Sequence, residues 1–398
     1  MNVAKEIQSF DDLEGIRDRT APVVTAFSGG VDSSYLLLML KKLNFTKVYA
    51  VSVNVGAPMT DDELAEQKQA AEVLGASLVV LDGQEQFIAQ AIIPAIKACA
   101  SYLGGFPVSS SLSRPVIAGM IVGYAKQIGA GLILHTANLS QNSLPRLNNG
   151  IKLAGHTGPY GSPYTHSVIP RQDKIDALAE AGLRFLEHRG LSGDKNFWCN
   201  EFESGSLDDP SEFTVPEQAY IWTAYDYTPE TSRIKLAFEN GLPVSIDDKE
   251  MPLIDIIKKL NTRVGKFCVG RYEGLEHVLP GQEGEGAVLE VREAPAATMI
   301  FDALHHLSSG SLPAATFLAL KTNQMRWALE AAEGRWGSDI HKTCGEEIST
   351  TMEQVSGNVS FTLGYRRMEL CGVAPVNSIC VTNRDAWEEK QVAEHIEV

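Results

Sequence analysis

The chain has 398 residues, 44% of them hydrophobic, and a formal charge of −16 from 34 Lys+Arg against 50 Asp+Glu. That length supports two or three domains, and the charge repels phosphate backbones, which argues against a nucleic-acid partner. No run of about 18 apolar residues could span a membrane, and the opening "MNVAKEIQSFDDLEG" lacks an apolar signal core, which predicts a cytoplasmic protein.

The predicted elements alternate through the first half. "PVVTAF" (22–27) reads as a strand, "SSYLLLMLKKL" (33–43) as a helix, and "KVYAVSVNV" (47–55) as a β-branched strand. In "TDDELAEQKQAAEVLG" (60–75), Thr60 and Glu63 form a capping box and Gly75 marks the stop of a helix. "ASLVVLD" (76–82) and "GLILHTA" (131–137) read as buried strands, with a helix over "RPVIAGMIVGYAKQIG" (114–129) between them. Such alternation predicts a parallel sheet covered on both faces, with ligands at the carboxyl ends of its strands. The pattern changes after "DKIDALAEAGLRFLEHRG" (173–190), which places a domain boundary near residue 190. Beyond it, "IKLAFENGLPVSI" (234–246) reads as a hairpin turning at Asn240-Gly241, followed by a helix over 252–264.

Between the first strand and helix stands Ser28-Gly29-Gly30-Val31-Asp32-Ser33-Ser34. Two glycines permit positive φ and let backbone N–H groups converge. The following helix adds the partial positive charge of its N-terminus, so the turn suits phosphate or pyrophosphate. Asp32 repels phosphate; it fits if it holds a magnesium ion or orients the turn. No Gly-Lys-Ser/Thr follows, so this is not a Walker loop. The six cysteines, Cys99, Cys199, Cys268, Cys344, Cys371 and Cys380, include no Cys-x-x-Cys pair and read as reduced thiols. His135, His156 and His166 lack ligand spacing, and no metal set is assigned.

The glycine turn resembles the pyrophosphate (PP) loop of the ATP-pyrophosphatase superfamily. Further stretches, in order, resemble argininosuccinate synthases: "VNVGAPMTDDELAEQKQAAEVLGA" (53–76), "SSSLSRPVIA" (109–118), "HTANLSQNSLPRL" (135–147), "SGDKNFWCNEFESGSLDDP" (192–210), "VGRYEGLE" (269–276) and "REAPAATMIF" (292–301). This resemblance implies an α/β fold. An adenine-nucleotide α-hydrolase-like parallel-sheet domain (1–190) would precede an α+β synthetase and oligomerisation domain (191–398). It implies a homodimer or homotetramer acting on small amino-acid substrates with ATP and Mg2+. ATP would adenylate the ureido oxygen of a citrulline-like acceptor, and an aspartate-like amine would then displace AMP. Carried over residue by residue, Ser28, Gly29, Gly30, Asp32, Ser33 and Ser34 would bind ATP phosphates. Val53 and Thr136 would line the adenosine pocket. Ser110, Ser111, Asn142, Arg146, Ser192 and Glu276 would contact substrate, and Asp32, Ser33 and Arg146 are the catalytic candidates.

Several substrate positions depart from the family pattern. Its aspartate-binding Thr and Asp fall at Asn138 and Ser143, and its Gly-Lys-Gly at Leu139-Ser140-Gln141. Its tyrosine before Gly-Thr-Ser falls at Phe106, a citrulline-contacting serine at Glu201, and a second tyrosine at Arg292. Ser143 pairs an ammonium more weakly than a carboxylate does, Arg292 brings a permanent cation, and Glu201 brings an anion. If Arg292 faces the pocket, the acceptor carries an extra carboxylate or phosphonate. These changes leave two readings open, a divergent synthase and a related ligase with a different amine or acceptor. A tRNA-modifying PP-loop enzyme and an inactive nucleotide-binding protein are the remaining alternatives. After "VSGNVSFTL" (355–363), the family's long oligomerisation arm is not clearly recognisable.

Overall fold

The computed structural model describes residues 5–57, 60–188, 192–224, 230–278 and 286–396. β1 (Glu6–Ile7) and α1 (Phe10–Glu14) precede β2 (Val23–Ala26), α2 (Val31–Lys42), β3 (Val48–Asn54), α3 (Asp61–Val73) and β4 (Ala76–Asp82). The short α4 (Gln84–Phe87) and α5 (Ile93–Lys97) lead to α6 (Ser110–Ile128), β5 (Leu132–Leu134), α7 (Ser143–Leu153), β6 (Tyr160–Gly161) and α8 (Arg171–Glu180). The six strands form one parallel sheet in the order β1-β6-β5-β2-β3-β4. Helices cover both faces. Leu36, Leu40, Ala70 and Leu178 pack on one, and Ala118, Val122, Leu147 and Ile151 on the other. That double cover is why the central strands read as continuous apolar runs.

The chain order reverses between β2 and β5, so the carboxyl ends of these neighbours open a crevice. Three boundaries shift from the sequence expectation. α2 begins at Val31, which puts Asp32, Ser33 and Ser34 in its first turn. α6 begins at Ser110 rather than Arg114 and carries Pro115 inside its second turn, at the loss of the N–H bond back to Ser111. β5 is only three residues long. The Thr60–Glu63 capping box forms as expected.

The second half is α+β. β7 (Ser192–Lys195) and β8 (Asn200–Glu203) precede β9 (Ser232–Glu239), β10 (Leu242–Ile246), β11 (Lys249–Glu250), α9 (Leu253–Gly265), β12 (Arg271–Val278) and β13 (Gly286–Glu293). There follow α10 (Pro295–Ser311), α11 (Ala314–Ala332), α12 (Asp339–Met352), β14 (Gly357–Gly364), β15 (Arg367–Pro375) and α13 (Arg384–Ile396). One antiparallel sheet runs β12-β13-β8-β7 and another β11-β10-β9-β14-β15. The hairpin turns at Asn240 and Gly241, both at positive φ. The domain boundary expected near residue 190 lies outside the described residues. The two halves share a core: the Phe87 and Phe197 rings are 5.2 Å apart, and both pack in the cluster that holds Trp198, Ile256 and Met299. None of the described helices is long and apolar enough to cross a membrane.

Candidate active site

A cavity of about 680 Å³ lies in the β2–β5 crevice and runs to the β12-β13-β8-β7 sheet. Its first end is the glycine turn. Gly29 adopts φ +72°, and a Cβ there would come within 2.6 Å of Gln67 Cγ. Gly30 is the N-cap of α2 and provides no side-chain cap. The first N–H groups of the helix therefore remain available to an anion. Ser28 Oγ accepts from the Gly30 N–H (3.3 Å) and lies 3.3 Å from Ser33 Oγ, which donates to the Gly30 carbonyl. Gln67 Nε2 donates to the Ser28 carbonyl, which clamps the turn from α3.

Asp32 points to its own partner. Lys174 Nζ, on α8, donates to Asp32 Oδ1 at 2.5 Å, and Tyr164 Oη donates to the Asp32 carbonyl. The Lys174 ammonium also lies 5.2 Å from the Tyr164 ring centre. Of the two roles considered for Asp32, this geometry favours orienting the turn. No group of three or more His, Cys, Asp or Glu side chains among the described residues could hold a metal.

The far end is built by strand periodicity. Alternation on β8 and β13 brings Glu201, Glu203 and Glu290 to the cavity, with Arg292 buried behind them, while Phe202, which also borders the cavity, packs with Leu289 and Val291 in a small apolar cluster. The register sets Arg292 opposite Glu201, and Asp194 of β7 opposite Glu201 on the other side. From the facing helices come Arg114 and Arg146. Arg114 Nη1 donates to Asp194 at 2.6 Å and its Nε to Ser143 Oγ. Arg146 Nε donates to the Ala332 carbonyl, Nη1 to Ser110 Oγ and Nη2 to Glu276 Oε1. Asn142 Nδ2 also donates to Glu276 Oε1. Ser110 donates to Glu201 through both N–H and Oγ.

Arg292 is 1% exposed and sits at the centre of this network. Its Nε donates to Glu290 Oε2 (3.1 Å), Nη2 to Glu276 Oε2 (2.6 Å) and to Glu290, and Nη1 to the Pro107 carbonyl (2.9 Å). Its guanidinium lies 4.2 Å from the Phe106 ring centre. Burial would raise the Glu276 carboxyl, but the guanidiniums of Arg146 and Arg292 hold it below the usual range. Burial pushes Glu290 well up despite Arg292, with Glu276 and Glu201 adding to the rise. It also raises Asp194, against Arg114, and Glu203, where Glu201 adds to it. Glu203 Oε1 accepts from Gln141 Nε2.

Of the ATP-site candidates, Ser28, Gly30, Asp32, Ser33, Val53 and Thr136 line the cavity. Gly29 shapes the turn, and Ser34 is fully buried beneath it. Of the substrate candidates, Ser110, Asn142, Ser143, Arg146 and Glu201 line the cavity. Phe106, Ser111, Glu276 and Arg292 are buried. Asn138 turns to its own loop, accepting from Ser140 N and Oγ, and Ser192 begins β7 opposite Glu203. The condition set for Arg292, that it face the pocket, is not met: it is buried and hydrogen-bonds Glu276, Glu290 and the Pro107 carbonyl. Cavity residues that the sequence reading passed over include Gln67, Arg114, Asp194, Glu203 and Glu290. The Glu-x-Glu at 201–203 and Glu-x-Arg at 290–292, each at a spacing of two on one strand, were a usable signal; Gln67 had none.

Residues 22–183 match the family described as arginosuccinate synthase N-terminal HUP domain, and residues 191–396 its C-terminal domain. The chain belongs to the argininosuccinate synthase family. The argininosuccinate synthase of Dictyoglomus thermophilum is 31% identical over 344 residues, spanning 86% of this chain and 84% of the relative. That of Caldicellulosiruptor saccharolyticus is 29% identical over 376 residues, 93% and 91% of the two. The argininosuccinate synthase family comprises ATP-dependent ligases, and the cavity described above spans the halves that its two domain matches cover.

Proposed function

We propose that this chain is an ATP-dependent, AMP-forming C–N ligase that acts on a ureido or carbonyl oxygen. One observation carries the reading: a single cavity joins an uncapped helix N-terminus behind a positive-φ glycine turn to a buried wall of arginines and carboxylates. MgATP enters as a substrate, with its β and γ phosphates at the turn and adenosine near Val53 and Thr136. The acceptor oxygen attacks the α-phosphorus; the O–P bond forms, the Pα–O–Pβ bond breaks, and pyrophosphate leaves with the electron pair. The lone pair of the amine then attacks the acceptor carbon. The C–N bond forms, the C–O bond to AMP breaks, and the amine gives up a proton.

A ureido carbon is a poor electrophile, and adenylation supplies the leaving group. The residues act by position and charge: α2 and Ser33 face the departing pyrophosphate, Lys174 fixes Asp32, and Arg146 with Ser110 sets the wall at the acceptor. No acyl-enzyme nucleophile is needed.

The test is AMP and pyrophosphate production by the full chain with MgATP and panels of acceptors and amines, citrulline and aspartate included. Equal release of both products that requires acceptor and amine together is the expected result. ADP and phosphate as products, or no substrate-dependent release, would overturn the proposal.

A further inference from the structure

We infer that the turn between α11 and α12, with Gly334 at its apex, is a positioning element for Arg146, and that it acts on acceptor binding and not on MgATP. The inference rests on the ligase reading and adds to it residues that touch no substrate.

The turn is built to hold its shape. Glu330, 5% exposed near the end of α11, accepts from Arg335 Nε (2.8 Å) and from Ser338 Oγ (2.6 Å). Its carbonyl accepts from the Arg335 N–H (2.8 Å), and the Ser338 N–H returns to the Arg335 carbonyl. Ser338 Oγ also caps α12 by accepting from the His341 N–H. The Trp336 ring stands edge-on to Trp327 of α11, with centres 5.4 Å apart, and its centre lies 4.5 Å from the His341 ring of α12. Both arms of the turn are thus tied to the helices they join. Gly334 and Gly337 adopt φ +75° and +77°, a region that glycine occupies without a Cβ penalty.

This turn presses on α7. The Ala332 carbonyl accepts from Arg146 Nε (2.8 Å), and the Trp336 carbonyl accepts from Asn149 Nδ2 (2.8 Å) one turn further along the helix. Between these two contacts there is no room for a side chain. A Cβ on Gly334 would come within 2.9 Å of Arg146 N and 3.0 Å of Pro145 Cβ, and one on Gly337 within 3.0 Å of Leu153 Cδ1. A guanidinium is planar, so holding Nε constrains the plane in which Nη1 and Nη2 point. In that plane they reach Ser110 Oγ and Glu276 Oε1. Each Nη carries a second N–H, and Arg146 lines the cavity. The same tilt therefore aims the fork that a substrate carboxylate would meet. The glycine turn is held by other residues, Gln67, Tyr164 and Lys174, so a shift of the α11–α12 turn reaches the acceptor and leaves the nucleotide end in place.

A split between two KM values separates positioning from folding. Acceptor-dependent ATP–pyrophosphate exchange by the full chain, without amine, reads the first chemical step. The acceptor is citrulline or, where citrulline is silent, the most active member of the panel above. In Gly334→Ala, with folding checked by circular dichroism, KM for the acceptor is expected to rise at least fivefold while KM for MgATP changes less than twofold. Glu330→Gln loosens the turn without obstructing α7 and should raise KM for the acceptor at least threefold. Ile348→Ala, a packing change on α12 at a buried position outside the turn, should lower the melting temperature and leave both KM values unchanged. In an Arg146→Lys background, which lacks Nε–H, Gly334→Ala should cost less than twofold; if that background is silent, the split alone decides. An unchanged acceptor KM in folded Gly334→Ala, an equal rise in KM for MgATP, an equal rise in Ile348→Ala, or the same factor in both Arg146 backgrounds overturns the inference. If Gly334→Ala does not fold, Glu330→Gln carries the same comparisons. If no acceptor drives exchange, the ligase reading fails and the inference is decided without ligand. The arginine Nε–H nuclear magnetic resonance signal that Arg146→Lys removes should exchange slowly with solvent in the wild type and rapidly in the turn variants; unaltered exchange overturns it.

Discussion

Two residues at the nucleotide end have effects that separate stability from function. At Gly29 an alanine would hold φ +72°, which costs about 1–2 kcal/mol for an L-residue, and its Cβ would press on Gln67 Cγ. Gly29→Ala should lower the melting temperature and raise KM for MgATP by at least tenfold, read by differential scanning calorimetry and pyrophosphate release. Lys174 behaves differently. Its partner Asp32 is 39% exposed at the side chain, so the pair contributes no more than about 1 kcal/mol to folding. Lys174→Met leaves the Asp32 charge facing the incoming phosphates. KM for MgATP is expected to rise more than tenfold with little change in melting temperature; a large thermal shift without a KM effect would show that the pair is structural only. The serine–glycine turn was legible because its residue types are dictated by backbone geometry. Lys174 was not, since it reaches Asp32 from 142 positions away and nothing local marks it.

The floor strands decide the next two outcomes. Gly274 on β12 has no side chain because Phe106 occupies the space: a Cβ would come within 2.7 Å of that ring. Gly274→Ala should displace Phe106 from Arg292, lowering both the melting temperature and the acceptor-dependent exchange rate. Glu203 on β8 contributes a pH effect. Its raised carboxyl, from burial and then Glu201, binds more protons in the folded than in the unfolded chain. Stability therefore falls as pH rises from the ordinary glutamate value of about 4.3 through the folded value. Glu276 has the opposite sign: its depressed carboxyl stabilises above the ordinary value and loses that contribution on acidification. Melting temperatures of Glu203→Gln between about pH 4 and 8 should decline less toward the alkaline side than those of the wild type. The parallel strands of the first half were legible from their apolar runs. The β7–β8–β13–β12 floor was not, because its polar face alternates with a small apolar one and its partners are far apart in sequence.

At the scale of the whole molecule, α13 extends the chain past the last sheet with Trp387 and Val392 about half exposed. If the protein assembles as the expected dimer or tetramer, this helix is a natural contact. Deleting residues 384–398 should then lower the sedimentation coefficient to that of a monomer while leaving the core's melting transition in place. A deletion that keeps the assembled mass would assign the contact elsewhere. The joining of the two halves was the least legible feature, since a shared core such as Phe87 against Phe197 leaves no periodic trace in either segment. The cavity described above has a consequence for descent. Its nucleotide end is encoded in the first half, from the glycine turn through Thr136 to α8, while the floor carboxylates are encoded after residue 190. After a gene duplication, drift in the later segment can change what is joined while the earlier segment continues to hold ATP. Paralogues of this kind should therefore diverge most in a few alternating positions on three or four strands, and their chemistry should be inherited more faithfully than their diet.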